Sequence, residues 1–188
     1  MGYYQERSRN RLSIGHSGNT LTTLIAVNLV VFVLLIFIQV IYFFTYPNSA
    51  QAETLFHEQI VSWVTLPAHL PTLITRPWTI ITHFIAHIDV WHIIANMIWL
   101  WVFGYIFQDL AGNRKLVPVF VYGALTGAFF YVLAFNLLPA FENKLAGASA
   151  LGASAGVMAI ALATTTLAPN FRIFQMLNGG IPLWIITM

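Results

Sequence analysis

From Leu21 to Phe44 the chain carries no charged side chain, and Asn28 and Gln39 are the most polar groups in the run. A helix needs about 20 mostly apolar residues to cross a hydrocarbon core ~30 Å thick, so this segment predicts a membrane-spanning helix. Arg7, Arg9 and Arg11 before it and Ala50-Gln51-Ala52 after it also resemble the flanks of a secretory signal. The run far exceeds the roughly 7 to 15 residues of a signal's apolar region, which favours a retained span.

Composition extends this reading to the whole chain. Of its 188 residues, 59% are hydrophobic and 7% charged, against about 25% charged in soluble domains. Eight Lys and Arg with six Asp and Glu cannot coat a water-facing surface. Disorder is excluded, and so is a cysteine-stapled secreted scaffold, because there is no cysteine. The high isoelectric point conceals a net charge of only +2, too little for a nucleic-acid partner. An integral membrane protein remains.

Further spans are expected at Val90–Phe107, closed by the polar run Gln108–Lys115, and at Leu116–Leu138. After the turn Pro139–Lys144, a fourth is expected at Leu151–Leu167, rich in Ala and Gly and stopped by Pro169. Ile181–Met188 opens a fifth apolar segment, but eight helical residues rise only about 12 Å. The expected fold is all-α: a polytopic transmembrane bundle of four complete spans and the start of a fifth. Residues 1–20 form an N-terminal tail and 21–188 the membrane domain. The intervening Pro47–Ile81, with Pro67, Pro71 and Pro77, two glutamates and the histidines His57 and His69, is too long for a plain connector. Its mixed character predicts a loop with short helices lying partly in the interface.

Basic residues in short loops set orientation. With the N-terminus inside, Arg7, Arg9, Arg11, Arg114, Lys115 and Arg172 are cytoplasmic, and only Arg76 and Lys144 fall outside. The long loop and the starts of the second and fourth spans then share the outer side.

Polar side chains within apolar spans are functional candidates. His83, His87, Asp89, His92 and Asn96 cluster at the start of the second span, and the fourth opens with Gly147-Ala148-Ser149-Ala150-Leu151-Gly152-Ala153-Ser154-Ala155-Gly156. His83/His87 and His92/Asn96 are each four apart and would share a helical face. A serine opposite His and Asn donors suits acyl transfer, which needs a nucleophile and stabilisers for the developing oxyanion. The small residues could instead be a packing seam, as Gly123-xxx-Gly127 in the third span suggests. The histidines with Asp89 could bind metal or haem. However, Phe84 stands where a zincin helix carries its glutamate, and the fourth span offers no histidine. No metal and no cofactor is expected. Gly152-Ala153-Ser154-Ala155-Gly156 also fits the soluble hydrolase elbow, but the strand and large α/β domain that elbow requires are missing.

Together these clusters resemble the rhomboid family of intramembrane serine proteases. The residues that carry the resemblance are Arg76-Pro77-Trp78, Thr82-His83, His87, His92-xxx-Asn96 and the Gly-x-Ser core at Ser154. The resemblance implies a six-helix core and a Ser–His dyad without a carboxylate. It makes Ser154 the nucleophile in preference to Ser149, makes His92 and Asn96 oxyanion stabilisers, and gives His83 and His87 supporting roles. The partners it implies are the bilayer and transmembrane segments of substrate proteins. Ala155, Met158 and Thr79 depart from residues common in the family. The dyad histidine of the family lies on the sixth helix, beyond the residues here, so the chain reads as a fragment of a longer product. The alternative is an inactive rhomboid-like pseudoprotease that binds transmembrane helices without cutting them. Without an organelle presequence, the expected location is a bacterial cytoplasmic membrane.

Overall fold

A computed structural model describes residues 19–173 and 180–187. The arginines of the N-terminal tail and Met188 lie outside these residues. Long helices dominate the fold. Asn19 caps α1 (Thr20–Thr45), its Oδ1 accepting from the Leu21 and Thr22 amides, which would otherwise lack partners in a first turn. The helix stops at Tyr46, one residue before Pro47, where the α conformation is disfavoured.

Four short helices follow. They are α2 (Ser49–Gln59), α3 (Leu70–Thr75), α4 (Thr79–Thr82) and the turn Val61–Trp63. The expected loop with short helices is therefore present. Its parts are tied together. Arg76 donates through Nη1 to the Ser62 carbonyl (2.9 Å) and lies 4.4 Å over the Trp63 ring. Trp63 in turn stacks on Trp78. Exposed tryptophans of this kind favour the boundary between lipid and water.

Next come α5 (Val90–Ala111) and α6 (Leu116–Leu137). Asp89 caps α5 by accepting from the His92 amide, and Gly112 ends it at φ +91°. At this end of the bundle the Asn113 side-chain oxygen accepts from the Thr20 amide and from Gln108 Nε2, which locks the turn onto the start of α1.

With α1, these helices are long and apolar enough to cross a membrane. The fourth apolar helix, α7 (Ser154–Leu167), has 14 residues and rises about 21 Å. It begins three residues later than expected from the sequence. Ser149–Ala150 is instead a short strand, β2, antiparallel to β1 (Leu66–Pro67), and Gly152 at φ +117° breaks any helix there. Beyond α7, Arg172–Ile173 (β3) pairs with Ile181–Pro182 (β4), followed by α8 (Leu183–Thr187).

The core forms where α7 packs between α5 and α6. A Cβ on Gly123 would collide with the Ala159 Cβ, and one on Gly127 would lie 2.6 Å from the Ala155 Cβ. Small residues on both sides let the α6 and α7 backbones approach closely. Gly156 is likewise covered by the Phe120 ring. Around this seam Leu100, Phe103, Leu116, Phe120 and Ile160 are buried.

Candidate active site

Ser154 is the first residue of α7, so its side chain stands where the chain turns from loop into helix. α7 has two working faces. Ala155, Gly156 and Ala159 take the α6 seam, while exposed Ser154 opens on a cleft of about 280 Å3 shared with Asn96, Trp99, Phe103, Met158, Ile186 and Thr187. The GASA segment is thus both packing seam and candidate nucleophile, divided by helical face.

Asn96 comes from α5. It is buried, and its Nδ2 donates to the His92 carbonyl one turn earlier (2.8 Å). One amide hydrogen is thereby occupied, and the other remains for the cleft. His92, on the first turn of α5, lays its imidazole against Gly152. A Cβ there would lie 2.5 Å from His92 Cε1 and 3.0 Å from Nε2. Bare backbone at residue 152 is what lets the ring approach.

His83 and His87 do not share a helical face. α4 ends at Thr82 and α5 starts at Val90, so both histidines lie in the non-helical link between them. Asp89 caps the helix that follows, which makes the preceding residues loop rather than first turn. Each histidine supports the serine segment separately. The His83 carbonyl accepts the Gly152 amide (2.8 Å), and His83 Nδ1–H donates to the Thr79 carbonyl (3.0 Å). His87 Nε2 accepts the Ala153 amide (3.1 Å), and its ring lies 5.3 Å from that of His92. An accepting Nε2 in a neutral imidazole leaves the hydrogen on Nδ1, and that atom is buried without a partner among the described residues. Burial, reinforced by the neighbouring His92, pushes the His87 pKa down to about 4. Burial also lowers that of His83.

The loop closes the arrangement from above. β1 pairs Leu66 with Ala150 and Pro67 with Ser149, and the Ala68 amide donates to the Ala148 carbonyl (2.9 Å). Ser149 is therefore engaged in a strand, outside the cleft that holds Ser154. No periodicity in the sequence signals a ladder of two residues, nor the acceptor role of His87.

The profile of the family described as "Rhomboid domain" matches residues 75–188. The chain is also 35% identical over 119 residues to rhomboid-like protein 12 of Arabidopsis thaliana, described as mitochondrial. That match takes in 59% of this chain and 35% of the relative, so the chain spans about a third of the length of the curated protein it matches. The matched region holds His83, His87, His92, Asn96 and Ser154, the residues that α5, α7 and their links bring together, and with it the chain belongs to the rhomboid family.

Proposed function

We propose that this protein is an intramembrane serine endopeptidase that cleaves transmembrane segments of other membrane proteins. One observation carries the reading: exposed Ser154 opens on the same cleft as Asn96, two residues after the glycine on which His92 rests. In the proposed mechanism a substrate segment unwinds into the cleft and the Ser154 hydroxyl attacks its carbonyl. The serine proton passes to a histidine and then to the leaving amine. By family resemblance that histidine lies on a helix C-terminal to Met188. Water then hydrolyses the acyl-enzyme. His92, Asn96 and the unsatisfied first-turn amides of α7 are the proposed donors to the oxyanion, aided by the positive end of the helix dipole.

The full-length protein with Ser154→Ala is expected to lose cleavage of a model transmembrane substrate, whereas Ser149→Ala keeps it. Equal loss in both would move the nucleophile. A second reading, the helix-binding pseudoprotease, is supported by the Arabidopsis relative, which is described only as rhomboid-like. A fluorophosphonate probe separates the two: a protease labels at Ser154 and a pseudoprotease does not.

The proposed setting is a bacterial cytoplasmic membrane with the N-terminus inside, supported by the basic residues gathered on that face. The mitochondrial Arabidopsis relative makes an organelle membrane the competing location.

A further inference from the structure

Beneath Leu66 of β1 and the interfacial loop lies a second hollow, of about 530 Å3. Its floor is one continuous stripe of α6, running from Leu125 through Phe129 and Leu133 to Leu137 in steps of four. Its roof is the interfacial loop, through Leu66, Leu70, Leu73 and Ile80. Among the described residues, the only polar one lining it is Asn136, one residue before the end of α6. Asn136 Nδ2 donates to the Ala68 carbonyl (2.9 Å) and to the Val132 carbonyl (2.8 Å), so it pins the loop over the stripe. None of these residues belongs to the proposed protease machinery.

We propose that this hollow binds one acyl chain of a bilayer phospholipid from the leaflet on the loop side. Three observations select that occupant. First, the groove is continuous with the lipid-facing surface: Phe129 and Leu137 on its floor are 62% and 67% exposed, and Ile74 on the helix of its roof is 76% exposed. Apolar side chains exposed to this degree on a membrane-spanning helix already face hydrocarbon.

Second, the dimensions fit a chain and not a helix. The stripe from Leu125 to Leu137 extends about 18 Å along α6, close to the ~15 Å depth of one hydrocarbon leaflet. A helix about 10 Å across would fill the volume with little more than one turn. A single polymethylene chain fits along its whole length.

Third, polarity is confined to one end. Asn136 lies at the loop end and Leu125 at the buried end, and between them the lining is apolar. This gradient matches an amphiphile whose polar head stays at the interface. It does not match a partner helix, which would bring backbone and side chains to both ends.

The test uses the full-length protein in phosphatidylcholine vesicles containing a phospholipid with a diazirine midway along one acyl chain. After irradiation, peptides are mapped by mass spectrometry. The expected result is lipid adducts on residues 66–80 and 125–137 at least about fivefold above those on the open face of α1, around Val30 and Val33. Ala128→Phe, which fills the floor, is expected to remove this excess and leave α1 labelling unchanged. Val132→Trp carries the same expectation should Ala128→Phe not fold. Labelling of the groove no greater than that of α1, or an excess that survives a folded filling variant, overturns the proposal. So does the recovery of protein–protein adducts at Phe129 or Leu133 in place of lipid adducts, which would make the occupant a second copy or another helix.

Discussion

The imidazole of His92 rests on Gly152, with no room for a single methyl between them: a Cβ there would lie 2.5 Å from the ring. Gly152 also holds φ +117°, a conformation that side-chain-bearing residues resist. Gly152→Ala is therefore expected to displace the ring and strain the backbone, lowering stability by about 1–3 kcal/mol. Fluorophosphonate labelling of Ser154 should fall at least about tenfold. Gly147→Ala is the control, because nothing lies within 4 Å of the site of its Cβ. Thermal unfolding and labelling rates measured on the two variants check both expectations.

Asn96 is expected to act on turnover more than on binding. Loss of one oxyanion donor costs about 10²–10³ in kcat, so Asn96→Ala should lower kcat by that order and leave KM within a few-fold. Steady-state cleavage of a transmembrane substrate in proteoliposomes makes the measurement. A rise in KM with unchanged kcat would assign Asn96 to substrate contact instead.

Acid should weaken the protein through His87. Its neutral ring accepts the Ala153 amide, and the folded pKa of about 4 lies below the ~6.5 of an unfolded chain. Between those values the unfolded state binds a proton that the folded state refuses, so stability falls as pH drops from about 6.5 towards 4. Above pH 6.5 this contribution is fully present and flat. Unfolding by SDS in mixed micelles at pH 7.5, 6 and 5 is expected to show the decline. His87→Asn, which keeps an acceptor and does not titrate, should flatten it.

The seam of small residues gives the clearest packing prediction. Gly123→Leu forces a branched side chain into the Ala159 Cβ and should destabilise by about 1–3 kcal/mol or more. Tyr122→Leu, one residue away and 71% exposed, should change little. Equal unfolding midpoints for the two variants would show that α6 and α7 separate at little cost.

How much of this was legible beforehand depends on the length scale of the signal. Thr20–Thr45, Val90–Ala111 and Leu116–Leu137 match the apolar runs within a few residues, because a span writes its pattern over some twenty positions. His92 and Asn96, four apart on a true helix, also fell where their spacing put them. The same spacing misled at His83 and His87. The cap at Asp89 marks the real start of α5 and leaves both in the loop before it. The start of the fourth helix moved for a similar reason, since a positive φ at Gly152 and a two-residue pairing with Leu66–Pro67 are long-range outcomes with no local period. His87 as acceptor for Ala153, 66 residues away, could not be read from either segment alone.

That short pairing has a mechanical consequence. Leu66 and Pro67 belong to the loop tied together by Arg76 and a stacked pair of tryptophans, and they are bonded to the strand that ends four residues before Ser154. A displacement of the loop would therefore be transmitted, through two paired residues and the Ala68–Ala148 bond, to the backbone just ahead of Gly152.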